Sequence, residues 1–274
     1  MAGGNSGQRT LLLVGCGRMG SALLRGWRAS GVASRFLVVE PADVPLGLVA
    51  AAEVAWHREP DTLPRQVIPE AVVFAVKPQA VDAVLPIYRR WVDPATVFLS
   101  IVAGKTLKGL ARHLGHAALV RTMPNLPAAI GRGFTVACGN ALVTPDQRQL
   151  CDALLAAVGE SAWIDDEALL DAVTAVSGSG PAYVFLLIEA LARAGEREGL
   201  PADLALRLAR STVAGAGALA QLSDQGPAQL RESVTSSGGT TQAALDLLMA
   251  ADGLETLLAR AVTAAAARSR ALAG

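Results

Sequence analysis

Two glycine-rich stretches have residue types that are suited to binding an anion. One is GCGRMG (Gly15–Gly20), and the other is TSSGGTT (Thr235–Thr241), which combines five hydroxyls with two adjacent glycines. Each stretch leads into a run with helical character. The free N–H groups at a helix N-terminus attract phosphates and carboxylates, and glycines let a ligand approach the backbone closely. The second stretch is equally consistent with a simple N-cap, because serine and threonine are ordinary capping residues.

The first stretch matches the G-x-G-x-x-G pattern of dinucleotide-binding loops. In that pattern Gly15 allows the tight turn, Gly17 lets the backbone approach the diphosphate, and Gly20 lets the helix pack on the strand. The pattern alone is weak evidence, but here the strand-like run TLLLV precedes it and a helix-like run follows it. We therefore predict that a dinucleotide binds this loop, with Arg18 and Met19 also in contact. A purely structural glycine turn is the alternative.

The position of Glu40 in the sequence predicts that it lies beside the adenosine ribose of the bound dinucleotide. It ends the run RFLVV, about 20 residues past the glycine loop, where an acidic side chain hydrogen-bonds the ribose hydroxyls. A carboxylate there would repel a 2′-phosphate and so favour NADH over NADPH. An acid that is merely solvated at the strand end is the alternative, and Arg18 or Arg35 could accommodate a phosphate. The sequence therefore leaves the choice of cofactor open.

Three further loops follow strand-like runs, at AVKPQAV, SIVAGKTL and RTMPNLPAAIGRG. In α/β sheets, ligands bind beyond the carboxyl ends of the strands. Three such loops in series therefore predict the wall of one cleft, although each alone is ordinary loop chemistry. The residues predicted to contact the cofactor here are Ala75, Val76, Lys77, Pro78, Ala103 and Gly104.

The elements that must position these loops differ between the two halves of the chain. Residues 9–164 alternate strand-like runs (TLLLV, RFLVV, AVVFAV, TVFLSIV, ALVRT, FTVAC and SAWI) with amphipathic stretches, which predicts a Rossmann-type doubly wound, mainly parallel sheet. Residues 165–274 show helical periodicity without a strand signal, so we predict an all-α domain. Its run of small residues, Ala214–Ala218, allows close helix packing, either within the chain or against a second subunit.

Composition excludes several other classes. Lys and Arg together number 24, as do Asp and Glu, so no basic field for a nucleic acid is expected. No uninterrupted apolar run approaches the roughly 18 residues of a membrane span, and the leader MAGGNSGQR lacks the apolar stretch of a secretory signal. The three cysteines indicate neither a disulfide framework nor a metal site, so we expect a reducing cytoplasm and no metal. We interpret Cys16 as a tolerated small residue, and His57, His113 and His116 as surface or capping residues.

Taken together, the motifs of the chain resemble those of the pyrroline-5-carboxylate reductase family. The matching pieces are GCGRMG, AVKP, SIVAG, RTMPN, VSGSGPAYVF and SSGGTT, in the family's order and spacing. The resemblance implies hydride transfer from NADH or NADPH to the C=N carbon of a cyclic imine carboxylate, giving L-proline. It also implies an intertwined homodimer, which in this family often assembles into a ring of five dimers. Glu40 departs from the pattern, because members that use NADPH usually have small polar groups there.

The resemblance also gives roles to the two later turns. It implies that TSSGGTT binds the substrate carboxylate, with Thr241 also contacting the imine nitrogen. Ser179, in VSGSGPAYVF, would help to position the nicotinamide, although a simple helix–helix connection is the alternative there. The implied substrate-binding residues are Ser236, Gly238, Gly239, Thr240 and Thr241.

Two other functions are alternatives to this one. A 3-hydroxyacid dehydrogenase of the same two-domain design normally has a catalytic lysine in its long interdomain helix, and PAYVFLLIEALARAGEREG contains no lysine. A non-catalytic dinucleotide-sensing protein would keep the cofactor loop while its substrate turn decayed. TSSGGTT is intact, which favours an enzyme.

Overall fold

The computed structural model describes residues 9–273, which form two compact units. The first unit contains the chain up to Gly178 together with the carboxyl-terminal residues from Ala266 onwards, and the second is Ser179–Ala265. The leader before Arg9 and the final residue of the predicted second domain, Gly274, lie outside the described residues. The predicted boundary between residues 164 and 165 falls before the end of the first unit and remains a prediction.

The first unit is built on an eight-stranded sheet in the order β3-β2-β1-β4-β5-β6-β7-β8. Neighbouring strands are parallel except for the antiparallel pair β6 and β7. This confirms the predicted doubly wound, mainly parallel sheet. The strands are β1 (Thr10–Val14), β2 (Arg35–Val39), β3 (Val54–His57), β4 (Ala71–Phe74), β5 (Val97–Ser100), β6 (Ala118–Met123), β7 (Gly133–Gly139) and β8 (Gly159–Trp163).

The inner strands are apolar throughout because both faces of the sheet are covered. Successive side chains of a strand point to opposite faces. Accordingly, Leu11 and Leu13 of β1 pack into one core cluster, while Leu12 and Val14 pack into the other. β3 was not among the predicted strands, because VAWH is short and lacks a continuous apolar run.

The helices of the first unit flank the sheet and carry the loops at its edges. α1 begins at Arg18, within the glycine-rich stretch Gly15–Gly20, and its C-cap is Gly31, which is left-handed (φ 65°). α5 begins with a capping box between Thr144 and Gln147. The helices are α1 (Arg18–Ser30), α2 (Leu46–Val49), α3 (Val81–Val84), α4 (Leu107–Leu114), α5 (Pro145–Ala156) and α6 (Leu170–Val173), the last followed by a π-helical turn (Thr174–Gly178).

The second unit is entirely helical, as predicted. Pro181 lies in the first turn of its first helix, and Pro201 is the N-cap of the next. Between those two helices Gly199 is left-handed (φ 93°), a conformation that glycine commonly adopts where a helix ends. The helices are α7 (Gly180–Arg197), α8 (Ala202–Leu222), α9 (Pro227–Ser233), α10 (Thr240–Leu248) and α11 (Leu254–Ala273), whose residues from Ala266 belong to the first unit.

The second unit buries little of its apolar surface within the single chain. Only Ala192, Ala205 and Ala209 are buried in this unit, all of whose residues the structure describes. The segment Glu167–Arg197 is long and apolar enough, by length and composition alone, to cross a membrane, and only 11% of its most apolar window is buried. The sequence prediction missed this segment because scattered charges interrupt it, so it contains no continuous apolar run.

Candidate functional sites

The glycine loop has the shape that a dinucleotide requires. Gly15 has φ 91°, and a Cβ added to it would lie 2.7 Å from the carbonyl oxygen of Ala75. A Cβ on Gly20 would lie 2.2 Å from the carbonyl oxygen of Gly15. Both positions therefore need glycine for the fold itself. Gly17 is different, because no atom lies within 4 Å of its would-be Cβ. Its glycine leaves open space in front of the loop, where a diphosphate fits.

The N-terminus of α1 adds an attraction for negative charge. Its N-cap is Gly17, no side chain caps the helix, and its first turn contains no acidic residue. The first N–H groups of a helix have no partner within it and carry the positive end of the helix dipole. Arg18 is exposed at this end and Met19 is half-buried. The predicted residues of the loop therefore suit a bound diphosphate.

A cavity of about 350 Å³ lies in the first unit, beyond the carboxyl ends of β1, β2 and β4. β1 and β4 are neighbours in the sheet but not consecutive in the chain, so the strand order reverses between them. Such a switch point is where doubly wound sheets bind nucleotides. The predicted residues that line the cavity are Gly15, Gly17, Glu40, Ala75, Val76 and Lys77.

Other lining residues were missed by the sequence analysis. Most follow β3 or lie on the segment after β4, and their side chains are chiefly apolar apart from Arg58 and Glu59. The residues after β3 were missed because that strand was not predicted. For the residues after β4, the apolar run AVLPIY was the one feature of the sequence that could have indicated them. The missed residues are Val14, Val39, Pro41, Arg58, Glu59, Pro60, Ala80, Val84, Ile87 and Tyr88.

Glu40 points both of its carboxylate oxygens at backbone amides. Oε2 accepts a hydrogen bond from the N–H of Cys16, in the glycine loop, at 2.7 Å. Oε1 accepts one from the N–H of Ala42 at 3.1 Å. The acid is therefore held beside the loop and at the wall of the cavity, where we expect the ribose. Arg35, in contrast, begins β2 and lies at the opposite edge of the sheet, so it is not available to bind a phosphate at this site.

The remaining predicted cofactor residues do not line this cavity. Pro78 begins a short 3-10 helix after β4. Ala103 and Gly104 follow β5 at the same edge of the sheet, and Gly104 has φ 71°. A Cβ on Gly104 would lie 3.1 Å from the carbonyl oxygen of Leu272, so this loop packs against the last turns of α11. Their contact with a cofactor remains a prediction.

The loop after β6 is tied to the π-helical turn. The side-chain amide of Asn125 donates to Oγ of Ser177 at 3.1 Å, and its carbonyl oxygen accepts from the N–H of Phe134 at 2.9 Å. In the preceding strand, β6, the buried Arg121 donates through Nη1 to Oε1 of Glu167 at 2.9 Å. A π-helical turn within a helix often marks a functional site. This loop was predicted to form a wall of a cleft, whereas Ser177 was not among the predicted site residues.

In the second unit, the TSSGGTT stretch forms a turn that joins α9 to α10. The N–H of Gly239 donates to the carbonyl oxygen of Ser236 at 3.0 Å and closes the turn. Gly238 is left-handed (φ 69°), and a Cβ on Gly239 would lie 2.4 Å from Oγ of Ser236. Both glycines are therefore required by the shape of the turn. Because the N–H of Gly239 is already bonded, it could donate to a substrate only if that bond were shared.

The capping interpretation of this turn is wrong. The N-cap of α10 is Gly239, and no side chain caps the helix. Within the described chain, the hydroxyls of Ser236, Thr240 and Thr241 make no hydrogen bond, and Ser236 and Thr240 are exposed. The free N–H groups of the first turn of α10 therefore lie beside hydroxyls that are also free. This arrangement suits a small carboxylate.

The other predicted candidates are less informative. Ser179 is the N-cap of α7 and is half-buried, with no side-chain cap hydrogen bond.

Burial and the nearby Glu40 raise the pKa of the Cys16 thiol to about 11, which supports the interpretation of Cys16 as a small structural residue. His113 lies in the last turn of α4 with Nε2 3.1 Å from Asp82. His57 ends β3 and its Nδ1 lies 2.9 Å from Oγ1 of Thr62.

Comparison with known proteins extends these observations to the whole chain. A family model described as pyrroline-5-carboxylate reductase dimerisation matches residues 167–272. The chain is 39% identical over 264 residues to a pyrroline-5-carboxylate reductase of Pseudomonas aeruginosa, covering 96% of each protein. The solved pyrroline-5-carboxylate reductase of Coxiella burnetii is 32% identical, with a TM-score of 0.88 and coverage of 96% of this chain and 98% of that one.

A third match is to a structure that was solved with a nucleotide. The pyrroline carboxylate reductase of Plasmodium falciparum, with NADP bound, is 28% identical and has a TM-score of 0.84. The match covers 99% of this chain and all of the other. The fold is thus shared with these two solved proteins along nearly their whole length. The chain belongs to the pyrroline-5-carboxylate reductase family.

Proposed function

We propose that this chain reduces 1-pyrroline-5-carboxylate to L-proline with hydride from NADH or NADPH, the last step of proline biosynthesis. The observation that carries the proposal is the similarity to pyrroline-5-carboxylate reductases over 96% of the chain, which leaves no large part of those enzymes unmatched. The shape of the glycine loop supports the cofactor, since Gly15 and Gly20 are required by packing while Gly17 opens towards a ligand.

The reaction needs little from the protein beyond placement. When bound, the reduced nicotinamide supplies the hydride. Addition of hydride to the carbon of the protonated imine moves the π-electron pair onto nitrogen, which keeps its proton and becomes the secondary amine of L-proline. The protein must therefore hold the ring and its carboxylate in one orientation and keep the cofactor's diphosphate in place.

The substrate carboxylate is assigned to the turn before α10. The free N–H groups of Thr240 and Thr241 and the hydroxyl of Ser236 would donate hydrogen bonds to it, and Gly238 and Gly239 would let it approach. Oγ1 of Thr241 would accept a hydrogen bond from the protonated imine nitrogen. The Thr241 hydroxyl makes no hydrogen bond within the described chain, which supports this assignment. Ser179, also without a cap hydrogen bond, would help to position the nicotinamide.

The chain forms a homo-oligomer through its helical half, since the matched family model is a dimerisation model. We extend this to an intertwined homodimer and to a ring of five such dimers. The apolar surface of α7 would then be covered by a second copy of this chain, not by lipid. A cytoplasmic location, with no nucleic-acid partner, is supported by the balanced charge and by three unpaired cysteines.

The test is a steady-state assay that follows oxidation of NADH and NADPH with the cyclic imine as substrate. The expected result is turnover that depends on the imine. Turnover with a 3-hydroxyacid and none with the imine would instead identify a dehydrogenase, and tight dinucleotide binding without any turnover would identify a sensing protein.

A pair of threonine variants tests the substrate turn. Thr241→Ala removes the hydroxyl and should lower kcat/KM for the imine about tenfold to a hundredfold, since hydrogen bonds to charged groups contribute about 1.5–3 kcal/mol. Thr241→Ser keeps the hydroxyl and should retain most of the activity. Dinucleotide affinity should be unchanged in both variants. An equal loss of imine turnover and dinucleotide affinity would place Thr241 outside the substrate pocket.

A further inference from the structure

Arg58 lies beside Glu40 at the ribose end of the cofactor cavity. β2 and β3 are paired in register, with Val39 opposite His57. Glu40 and Arg58 are the residues that directly follow this pair, and neighbouring strands lie about 4.7–4.9 Å apart. The N–H of Glu40 also donates to the carbonyl oxygen of His57 at 3.0 Å. An acid and a cation thus stand side by side where a ribose 2′-substituent would lie, and both line the cavity.

These two side chains favour opposite cofactors. The Glu40 carboxylate can accept a hydrogen bond from a ribose 2′-hydroxyl but repels a 2′-phosphate. A guanidinium binds phosphate, often through two parallel hydrogen bonds. The outcome therefore depends on which of the two groups is fixed in place and which is already engaged elsewhere.

Glu40 is fixed in place by the loop amides. Its two oxygens accept from the N–H groups of Cys16 and Ala42, at 2.7 and 3.1 Å, so its charge stays at the cavity wall. Glu59, which also lines the cavity, adds a second carboxylate. A 2′-phosphate would have to displace or neutralise this negative field.

Arg58 is engaged by the neighbouring loop, the one that follows β2. Nη1 donates to the carbonyl oxygen of Pro41 at 2.8 Å, and Nη2 donates to the carboxylate of Asp43. Its guanidinium carbon also lies 4.8 Å from the centre of the Trp56 ring. Lys77 is the other cation of the lining, but it follows β4, which is separated from β2 by β1. Of the cations that line the cavity, Arg58 is therefore the one next to Glu40, and Asp43 competes for it.

We infer that this enzyme selects NADH over NADPH through two carboxylates, with Glu40 accepting the ribose 2′-hydroxyl and Asp43 withholding Arg58 from a 2′-phosphate. The inference rests on the proposed function, because it names the cofactor that the same site takes. The two carboxylates contribute unequally. Asp43 and Arg58 are exposed over 87% and 56% of their side chains, and exposed ion pairs contribute little. Glu40 is therefore the main determinant.

The experiment compares Glu40→Ser, Asp43→Asn and the double variant with wild type. Dissociation constants for NAD⁺ and NADP⁺ are measured by titration calorimetry, and kcat/KM for both reduced cofactors is measured with the imine. We expect wild type to prefer the cofactor without the 2′-phosphate. Glu40→Ser should shift the preference towards NADP⁺ and NADPH about tenfold to a hundredfold. Asp43→Asn should improve NADPH about two- to fivefold and leave NADH nearly unchanged.

The Glu40→Ser/Asp43→Asn double variant should combine the two shifts. Arg58→Ala tests whether Asp43 acts through that cation: added to Asp43→Asn, it should abolish the gain for NADPH that Asp43→Asn alone gives. Asp61→Asn is the matched control, since Asp61 is an exposed acid three residues after Arg58 that does not line the cavity, and it should change neither cofactor. An unchanged cofactor ratio in Glu40→Ser, or a gain from Asp43→Asn that survives loss of Arg58, would overturn the inference. Failure of the proposed function would appear differently, as no imine turnover with either cofactor while the dissociation constants remain measurable.

Discussion

The two units of this chain treat their apolar residues in opposite ways. The sheet unit encloses them, with Leu11, Leu12, Val72 and Phe74 each fully buried. In the helical unit, large apolar side chains of α7 remain 44–58% exposed from Val184 to Leu187, and only alanines are buried. Both units are rich in leucine, valine and alanine, so composition does not explain the difference. A sheet covered on both faces completes its core within one chain, whereas these helices do not.

The difference indicates where a partner is needed. Soluble monomers rarely expose contiguous apolar patches of this kind, and larger ones mark interaction sites. The family model that matches residues 167–272 is a dimerisation model, so we expect a second copy of this chain to complete the core of the helical unit. The sheet unit, in contrast, is expected to be stable without help from a partner.

The largest expected effect comes from placing a charge on the exposed apolar face. Leu186→Glu would bury an unpaired carboxylate in each subunit of the dimer, which should weaken association by at least about 4 kcal/mol, or roughly a thousandfold. Analytical ultracentrifugation measures this directly. Ile68→Glu is the matched control, because Ile68 of the sheet unit is 59% exposed and Leu186 is 58% exposed. Equal effects of the two variants on association would break the comparison between the units.

A cavity in the sheet unit should have a smaller effect, which is confined to that unit. Leu154 is fully buried, and its carbonyl oxygen accepts the indole N–H of Trp27 at 2.9 Å. Leu154→Ala should therefore lower the free energy of unfolding by about 2–5 kcal/mol. All four tryptophans lie in the sheet unit (Trp27, Trp56, Trp91 and Trp163), so their fluorescence in a urea titration reports on it alone.

The same tryptophan signal sharpens the comparison when it is applied to the dimerisation variant. Leu186→Glu should leave the tryptophan transition within about 0.5 kcal/mol of wild type, because Leu186 belongs to the other unit and its substitution removes no contact of the sheet core. A large shift of that transition would show that the sheet unit depends on the helical one.

Within the glycine loop, Gly15 is closely packed against the sheet unit, whereas Gly17 is not. Gly15→Ala should cost about 1–3 kcal/mol of stability, because its backbone is left-handed and its Cβ would meet the carbonyl of Ala75. Gly17→Ala meets no protein atom and should change stability by less than about 0.5 kcal/mol while weakening dinucleotide binding. Thermal unfolding and NAD⁺ titration separate the two. Undiminished dinucleotide affinity in Gly17→Ala would contradict the assigned position of the diphosphate.

The smallest expected effect is the response of one surface cluster to acid. Hydrogen bonds from Lys105 and then from His113 hold the pKa of Asp82 below the ordinary value of 3.8. A folded-state pKa that is lowered contributes stability above the ordinary pKa, and this contribution is lost as pH falls through the lowered one. The Tm difference between wild type and Asp82→Asn should therefore be constant near neutral pH and shrink below about pH 4. A difference that grows in acid would contradict the sign.

Most of the fold could be predicted from local patterns. The apolar runs of the sheet unit and the helical periodicity after it follow directly from burial on two faces or on one stripe. The glycine loop was predictable because its glycine spacing stands between a clear strand-like run and a clear helix-like run. β3 was not predicted, because its four residues, VAWH, include a tryptophan and a histidine and form no continuous apolar run. Arg58 and the other cavity-lining residues that follow β3 were missed for the same reason. In the TSSGGTT turn, hydroxyls suggested a cap, but the backbone placed Gly239 at the N-cap instead.

The sequence by itself determined the doubly wound sheet, the helical second unit, the dinucleotide loop and the membership of the family. Only the tertiary structure brought Arg58 next to Glu40, joined Asn125 to Ser177 across the loop after β6, and left the hydroxyls of the TSSGGTT turn without partners. The physical reason is that local patterns follow from short-range sterics and burial. Contacts between residues far apart in the chain depend instead on strand order and register, which are set by hydrogen bonds across the whole sheet.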